Sequence, residues 1–371
     1  MIAIPSAPRR PSGLAWPRAL VRPWRVASAA AALLRAGVAG AGIGTPHSVT
    51  YPAHTMGTYV HVVLVTADSA SASPDAMAAL AVFHHTDSLM SNWTSTSEVA
   101  RINREAAAAS VVVEPEVAAV IARSLQVWRQ SEGAFDITVE PLVRAWGFLG
   151  GTPHVPSEAE AAAAFRHVGG RHLRFDAEAR TIRFDEEGVR IDLGGIAKGY
   201  AVDVAAESLR ARGVRDALVD LTGNMLAMGH PADAAGWRIG IRDPRDRVPY
   251  FARLQLHDEG ISTSGKYEQY VASGGRTFGH IMDPRTGQPA EGLIAVTLVS
   301  KSAFTCDAWD TPLFVLGLDG ARRVALAHPE FEAILVEPGR AGVDTVWVES
   351  SLRDRLILEP TASRYFRVAY F

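Results

Sequence analysis

The sequence of 371 residues predicts an α+β fold, in which largely antiparallel or mixed sheets pack against helices. Strand-like and helix-like segments alternate along the chain, but hairpins outnumber β–α–β units, which favours antiparallel pairing. Hydrophobic residues make up 48% of the chain, which is enough for a large core. The 32 glycines and 21 prolines predict the many turns of such a mixed fold rather than a helical bundle.

Each predicted element rests on periodicity and on the turn residues that bound it. Runs of β-branched residues predict strands, and amphipathic runs closed by glycine predict helices. In chain order these are a strand at 57–65, helices at 74–90, 114–133 and 157–166, a hairpin with a further strand that ends at Asp192, a helix at 196–213, a strand–turn–strand unit at 216–229, short strands from 237 to 299, a helix at 303–327 and closing strands at 333–369. No repeat or linker interrupts residues 47–371, so one domain is predicted there.

Residues 1–46 have a different composition from the rest of the chain. The run MIAIPSAPRRPSGLAWPRALVRPWR is rich in arginine and has no acidic residue, and a short apolar stretch and small residues follow. This order is typical of a secretory signal, so export to the periplasm is expected. A disordered extension of a cytoplasmic protein is the alternative. Arg35 interrupts the apolar stretch and argues against a membrane-spanning helix, so membrane association is expected only through this leader.

Charge and cysteine content exclude several classes of function. The formal net charge of -3 gives no general attraction to nucleic acid, and no nucleic-acid partner is expected. The only cysteine is Cys306. A disulfide framework and a cysteine-ligated zinc site are therefore excluded.

The segment RIDLGGIAKGYAVD (190–203) combines a strand end, a glycine turn and a helix start. Glycines permit close approach of a ligand to the backbone, and a helix N-terminus favours anions. Lys198 falls in the first helical turn, where a cation is mildly unfavourable for the helix itself but would suit a phosphate. An ordinary strand–turn–helix unit with a solvated lysine is the alternative.

The segment CDAWDTPLFVLG (306–317) spaces Asp307, Asp310 and Thr311 so that they would share one face of a helix. Oxygen-only ligands in this spacing suit a hard cation such as Mg²⁺. The alternative is helix capping, because Thr311 followed by Pro312 also fits a helix start. In that case Asp307 would precede the helix rather than lie on it.

Two further segments contain polar residues that need an explanation. In RTFGHIMDPRTGQP (276–289) a strand leads to His280, an acid–base candidate, and DPRTG is predicted to be a tight turn. In SEGAFDITVEPLVRAWGF (131–148) Asp136 lies among apolar residues, so its carboxylate is expected to have a polar partner. Together the four segments fit a phosphate-bearing ligand, an oxygen-bound cation and an aromatic or thioether wall.

The chain resembles the ApbE family of FAD:protein FMN transferases from about His54 to Gly317, in the ordered segments HTMGT, SNWTSTSEVARIN, GAFDIT, IDLGGIAKGYAVD, LVDLTGN, ISTSGKYEQY, HIMDPRTGQP and DAWDTPLFVLG. The resemblance implies an ApbE-like, T-fold-related architecture. It also implies Mg²⁺-dependent cleavage of FAD at its pyrophosphate, with the FMN half attached to a Thr or Ser hydroxyl of an acceptor flavoprotein and AMP released. The implied acceptor is a redox subunit or reductase whose short motif has Asp before the modified residue.

The resemblance further implies roles for individual residues. Asp307 and His280 are the catalytic candidates, and His280 would help to deprotonate the acceptor hydroxyl. Lys198 would pair with the phosphates of FAD. The implied metal ligands are the side chains of Asp307 and Thr311, position Asp310 and the carbonyl of Gly195. The other residues implied to bind FAD are Met56, Trp93, Ala134, Phe135, Asp136, Asp192 and Ile281.

Three positions depart from the pattern usual in this family. Trp93 replaces a tyrosine, Asp310 replaces a small residue, and Pro312 is atypical. Two other functions remain as alternatives. A Mg²⁺-dependent FAD pyrophosphatase would use the same residues and release FMN and AMP. A non-enzymatic flavin-binding protein would need the FAD pocket but not Asp307 or Thr311 as ligands.

Overall fold

The computed structural model of the protein describes residues 45–267 and 269–371. The predicted leader therefore lies outside the described residues, apart from Thr45 and Pro46. Within the described part, none of the helices combines the length and the apolar character that crossing a membrane requires.

Nineteen strands and seven α-helices make up the described part of the chain. The strands are β1 His47–Thr55, β2 Thr58–Thr66, β3 Val111–Val112, β4 Leu173–Asp176, β5 Thr181–Phe184, β6 Ala217–Leu221, β7 Asn224–Met228, β8 Trp237–Arg242, β9 Tyr250–Leu256, β10 Glu259–Gly265, β11 Tyr270–Ser273, β12 Arg276–Gly279, β13 Met282–Asp283, β14 Gln288–Pro289, β15 Ala295–Ser300, β16 Phe331–Glu337, β17 Asp344–Val348, β18 Ile357–Leu358 and β19 Phe366–Tyr370. The helices are α1 Ser69–Met90, α2 Glu98–Glu105, α3 Pro115–Gln130, α4 Glu140–Ala145, α5 Glu158–Phe165, α6 Ala197–Ala211 and α7 Ala303–Ala327.

A nine-stranded sheet forms the centre of the fold, in the order β1-β2-β6-β7-β10-β15-β16-β17-β19. All of its neighbouring strands are antiparallel except the parallel pair β17–β19. Helices α1, α6 and α7 cover one face, and the small sheet β18-β9-β8 covers the other. The predicted α+β class with largely antiparallel sheets is confirmed.

The alternation of side chains along β2 shows how the two faces separate. Val60 and Val62 pack with the helices, whereas Val63 belongs to the core beneath β8 and β9. Successive side chains of a strand point to opposite faces, so a continuous run of apolar residues can fill two cores at once. The VHVVLV run is therefore buried on both sides, although it lacks the regular polar–apolar alternation of a strand with one solvent-exposed face.

One predicted strand is wrong. No regular strand is formed before Asp192; residues 189–193 run as irregular chain. The side-chain amide of Asn103 replaces a strand partner, since its Oδ1 accepts from the Ile191 N–H at 2.7 Å and its Nδ2 donates to the Ile191 carbonyl at 2.9 Å. The Asp192 N–H donates to the carbonyl of Ile137 at 2.7 Å. These backbone groups are thus satisfied by side chains and loops rather than by a ladder.

The helical prediction at 303–327 is confirmed apart from a break at Gly317, where the backbone is non-helical (φ 68°, ψ -177°). The capping interpretation of Thr311 and Pro312 is wrong. Helix α7 begins at Ala303, with Ser302 as its N-cap. Thr311 and Pro312 therefore lie inside the helix. The side chain of Asp203 on α6 strengthens this start, because it accepts hydrogen bonds from the Ser302 hydroxyl and from the first two backbone N–H groups of α7. The unpaired N–H groups of a helix start are satisfied in this way by a neighbouring helix.

We expect Asp203→Ala to lower the free energy of unfolding by about 1–3 kcal/mol, because three hydrogen bonds to one helix start are lost. Urea denaturation would measure the change. The matched control is Asp75→Ala on α1, whose partly exposed carboxylate lies 3.5 Å from Arg212. That replacement should cost less than about 1 kcal/mol, as surface ion pairs usually do. Equal losses in the two variants would contradict the capping role of Asp203.

Candidate active site

One cavity of about 790 Å³ lies at the end of the central sheet, between the start of α6, the middle of α7 and the loop before α4. Its size is within the range usual for ligand sites. All thirteen residues that the sequence predicted for the site line it. They are Met56, Trp93, Ala134, Phe135, Asp136, Asp192, Gly195, Lys198, His280, Ile281, Asp307, Asp310 and Thr311.

The carboxylates of α7 form the most buried polar part of the cavity wall. Asp307 is 3% exposed and Asp310 is 2% exposed. Oδ2 of Asp307 accepts a hydrogen bond from the Gly199 N–H at 2.8 Å, and Nζ of Lys198 lies 3.9 Å from Oδ1. The Gly199 N–H and the Lys198 ammonium therefore supply polar partners of the kind that a buried carboxylate needs.

Two serines of β10 support the second carboxylate. Ser262 and Ser264 both donate hydroxyl hydrogen bonds to Asp310, and Oγ of Ser264 also lies 3.0 Å from Oγ1 of Thr311. Burial, and then the negative charge of Asp307, raise the pKa of Asp310 well above its usual range. Two like charges in one enclosed site repel each other. A cation between them would remove that repulsion.

The donor set fits a hard cation rather than a transition metal. In the described residues, no group of three or more His, Cys, Asp and Glu side chains is placed to hold a metal ion. An ion at Asp307 and Asp310 would therefore depend on the Thr311 hydroxyl and on backbone oxygens such as that of Gly195. Oxygen-only sites with few carboxylates are typical of Mg²⁺, which keeps several waters or substrate oxygens.

The start of α6 approaches α7 so closely that only glycine fits at position 199. A Cβ atom there would lie 2.4 Å from the carbonyl oxygen of Ala303 and 2.5 Å from Cβ of Asp307. The close approach aligns the Gly199 N–H with Asp307 and brings Lys198 beside the same carboxylate. Nζ of Lys198 also donates to the carbonyl of Gly194 at 3.0 Å. The lysine is thus held at the cavity wall rather than extended into solvent.

Asp192 lies in the turn that precedes α6. Its Oδ1 accepts from the Gly194 N–H at 2.8 Å, which fixes the tight turn. Burial raises the pKa of this carboxyl group, although the hydrogen bond from Gly194 partly opposes the shift. The side chain of Asn92 also forms a hydrogen bond with this carboxyl group. A carboxylate can accept further hydrogen bonds, so a ligand hydroxyl or amine in the cavity could still bond to Asp192.

Part of the cavity wall is apolar. Ala134, Phe135 and Ile281 are buried, Met56 is partly buried, and Trp93 at the rim is 68% exposed. Flat aromatic and thioether surfaces of this kind suit a planar ring. A ligand that covers the exposed indole of Trp93 would displace water from it.

Asp136 has the polar partners that the sequence suggested, and they are structural. Its Oδ1 accepts from the N–H and the hydroxyl of Thr138, and its Oδ2 accepts from the Gly170 N–H at 2.7 Å. Both oxygens therefore hold the loop that carries Phe135. Asp136 lines the cavity, but its carboxylate is committed within the protein.

His280 follows β12 and is fixed by a single carbonyl. Its backbone N–H donates to the carbonyl of Gln269 at 3.1 Å, and its Nδ1 lies 3.2 Å from the same oxygen. A carbonyl can only accept, so Nδ1 carries the hydrogen and Nε2 of the neutral ring is an acceptor. Burial lowers the pKa of His280 to about 4, and the positive charge of Lys198 acts in the same direction. At neutral pH the ring is therefore an unprotonated base.

The sequence prediction missed three kinds of contributor to this site. Ser262 and Ser264 occupy alternate positions in ISTSG, and a strand turns such a pair to one face. Gly199 was part of a noted segment, but only the structure reveals the close contact that requires it. His61 and Asp220 also line the cavity, on strands that meet only in the folded sheet.

The fold is similar to the folds of solved flavin transferases. The structure "Flavin Transferase ApbE from Vibrio cholerae" matches with a TM-score of 0.75 and 28% sequence identity, covering 84% of this chain and 99% of that chain. The apo flavinyl transferase ApbE from Pseudomonas stutzeri matches with a TM-score of 0.74 and 31% identity, covering 84% and 97%.

Sequence comparison identifies the family. The sequence model of the ApbE family matches residues 56–335. A curated relative from Klebsiella pneumoniae, named FAD:protein FMN transferase, is 32% identical over 311 residues, which cover 82% of this chain and 88% of the relative. A relative of the same name from Salmonella typhimurium is also 32% identical, over 76% of this chain and 82% of the relative. The chain belongs to the ApbE family.

We expect the imidazole of His280 to titrate near pH 4 in the folded protein, well below the usual value of about 6.5. The folded state then binds this proton less readily than the unfolded chain. The stability contributed by neutral His280 is complete above pH 6.5 and declines as the pH falls toward 4. NMR titration of histidine-labelled protein, with the resonance assigned by His280→Gln, measures the pKa. Titration between pH 6 and 7 would contradict the burial of this ring.

Proposed function

We propose that the protein transfers the FMN part of FAD to a Thr or Ser hydroxyl of an acceptor flavoprotein, with Mg²⁺ as cofactor and AMP as the leaving product. The observation that carries the proposal is the convergence of Asp307, Asp310, Thr311, Lys198 and His280 on one cavity. Membership of the ApbE family supports the use of FAD, since the curated relatives are named FAD:protein FMN transferase.

The proposed reaction is a substitution at phosphorus. The hydroxyl oxygen of the acceptor forms a bond to the phosphorus of the FMN half, and the bond between that phosphorus and the bridging oxygen breaks. The electron pair leaves with AMP, and the hydroxyl proton passes to Nε2 of His280. Such a displacement needs its attacking and leaving oxygens in line and its phosphate charge stabilised.

The chain's own groups meet those two needs. The ammonium of Lys198, held beside Gly194 and Asp307, is placed to bind phosphate oxygens. Asp307, Asp310, Thr311 and the Gly195 carbonyl would hold Mg²⁺, which when bound neutralises charge on the pyrophosphate. Neutral His280, with Nδ1 bonded to Gln269, accepts the proton at its other ring nitrogen.

The apolar wall and Asp192 account for binding of the rest of FAD. Met56, Phe135, Ile281 and the exposed Trp93 provide flat surfaces for a ring system. Asp192 is placed in the turn before Lys198, where its carboxylate would accept from the adenosine or ribose part of a ligand whose phosphates contact that lysine. Asp136 would act through the loop it holds rather than through direct contact.

An FAD pyrophosphatase is the second candidate, because water can replace the acceptor hydroxyl with the same residues in place. An incubation of the whole protein with FAD and Mg²⁺ separates the candidates by mass spectrometry, with and without an acceptor domain and with and without chelator. A metal-dependent gain of one FMN on the acceptor, with AMP released, would establish the transferase. Free FMN and AMP with an unlabelled acceptor would favour hydrolysis. Intact bound FAD without either product would indicate a flavin carrier.

The setting of the reaction is also a proposal. The composition of the leader supports export, so the acceptor would be a periplasmic or membrane-bound redox protein with a Thr or Ser flavinylation motif. A fusion of the first 46 residues to a reporter that is active only after export would test this. A reporter that stays in the cytoplasm would overturn the periplasmic location but not the transferase activity.

We expect Asp307→Asn to reduce FMN transfer by about 100-fold or more, because a charged ligand of the cation is replaced by a neutral amide. Titration calorimetry should show that Mg²⁺ affinity falls with it. The control is Asp319→Asn, an exposed aspartate on the same helix, which should retain the activity and metal affinity of the unchanged protein. Unaltered metal affinity in Asp307→Asn would exclude this residue as a ligand.

Replacement of His280 by alanine should reduce transfer by about 10²–10⁴-fold while FAD binding is retained, since the proton acceptor is lost but no flavin contact is. Steady-state transfer and fluorescence titration of FAD measure the two effects. His230→Ala, which removes an exposed histidine, is the control. Undiminished transfer in His280→Ala would disprove the role of this residue as a base.

A further inference from the structure

The cavity has a second part on the opposite face of the central sheet. Ser262 and Ser264 point from β10 toward α7, where they bond to Asp310. The side chains of Ile261 and Thr263 therefore point to the other face, toward β8 and β9. Both of these also line the cavity. The cavity thus continues around the strand ends, and its part on the β8–β9 side is here called the far lobe.

A row of paired residues forms the floor of the far lobe. His61 pairs with Asp220, Asp220 with Met225, and Met225 with Ile261. Directly paired residues place their side chains on the same face of a sheet. Apolar residues complete the walls, among them Leu218, Ile239 and Ile241, which belong to the core beneath β8 and β9. None of the thirteen predicted site residues lies in this row or in these walls.

Two facing polar groups of the far lobe, His61 and Asp220, are incompletely bonded among the described residues. Asp220 is only 1% exposed; its Oδ1 accepts from the Gly223 N–H at 2.9 Å, but Oδ2 has no hydrogen bond. Nδ1 of His61 lies 3.5 Å from Oδ2 and is likewise enclosed without a hydrogen bond among the described residues. The ring of His61 lines the cavity, so Nε2 is the nitrogen on the cavity side. Buried polar groups are normally bonded, so this facing pair needs an explanation.

The two parts of the cavity meet beside His280. Lys266 follows the end of β10, and a Cβ atom on Gly279 would lie 2.9 Å from its Cβ. His280 comes directly after Gly279 and bonds to Gln269. Gly265, Tyr267 and Gln269 all line the cavity at this junction. A group that enters along the far lobe therefore reaches His280 and the carboxylates of α7 by passing these residues.

We propose that the far lobe binds the polypeptide segment of the acceptor protein that carries the hydroxyl to be modified, and that His61, oriented by Asp220, contacts that segment. The inference rests on the proposed transferase function and identifies where its second substrate enters. A peptide is rich in N–H and hydroxyl donors, which suit Nε2 of His61 on the cavity side when Nδ1 turns its hydrogen toward Asp220. An isoalloxazine ring carries mainly acceptor atoms at its polar edge and suits this floor less well.

The division of the core supports separate places for the two substrates. Phe135 and Ile281 pack with the helices on the α7 side of the central sheet, here called the near face, in the same cluster as α7. Leu218, Ile239 and Ile261 pack on the far face. An FAD molecule held by the near wall and the α7 carboxylates leaves the far lobe to the acceptor. The hydroxyl then approaches the phosphorus from the side of His280.

The test compares His61→Ala with the unchanged full-length protein. The probe is the flavin-accepting domain of a membrane redox subunit, used beside the same domain with its motif threonine replaced by valine. We expect the KM for the acceptor to rise by about 10-fold, while kcat, the Kd of FAD and acceptor-free release of AMP change by less than about twofold. Met225→Trp, which fills the lobe without altering the polar pair, should raise the same KM. His257→Ala, at an exposed turn, is the control.

Three results would overturn the inference. An unchanged acceptor KM in both variants would show that the segment binds elsewhere. An equal loss of FAD affinity would show that the lobe holds part of the flavin. If His61→Ala proves unstable by its thermal midpoint, Met225→Trp decides by the same readouts. If the unchanged protein releases AMP but never labels the acceptor, the transferase function fails and this inference fails with it.

Discussion

The contact between α6 and α7 at Gly199 is the constraint on which the site depends. The absence of a side chain there allows the helices to approach until the Gly199 N–H bonds to Asp307 at 2.8 Å. The same approach sets Lys198 beside the carboxylate and lets Asp203 complete the start of α7. The ion pair between Lys198 and Asp307 and the starts of the two helices are thereby aligned by backbone contact, which is stiffer than an arrangement of long side chains.

The centre that results is electrostatically incomplete by itself. Two carboxylates on α7 are almost wholly buried, and Ser262, Ser264 and Lys198 only partly compensate them. Such an arrangement costs stability unless a cation or a proton is bound. The raised pKa of Asp310 is the consequence of that cost in the protein alone. Binding of a metal ion and a phosphate-bearing ligand at this centre would therefore increase the stability of the folded protein.

Much of the fold could be predicted from local patterns, since the helices at α6 and α7 and the β6–β7 hairpin follow hydrophobic periodicity and glycine stops. The strand predicted before Asp192 does not form, because the side-chain amide of Asn103 bonds to the backbone N–H and carbonyl of Ile191. The two positions are 88 residues apart in the sequence. The family resemblance predicted the residues that line the cavity on the side of α7. It could not supply the pairing of His61 with Asp220, because sequence alone does not give the register of distant strands.

A cavity that runs around the strand ends has a consequence for the order of events. If the two proposed substrates occupy opposite faces of one sheet, they need not displace each other, and both could be bound when the phosphoryl group moves. A ternary complex, rather than a covalently modified enzyme, would then be the reactive species. A polypeptide in the far lobe would also keep water from the junction beside His280. On this proposal, occupancy of the far lobe, rather than the cation at Asp307 and Asp310, would set the partition between transfer and hydrolysis.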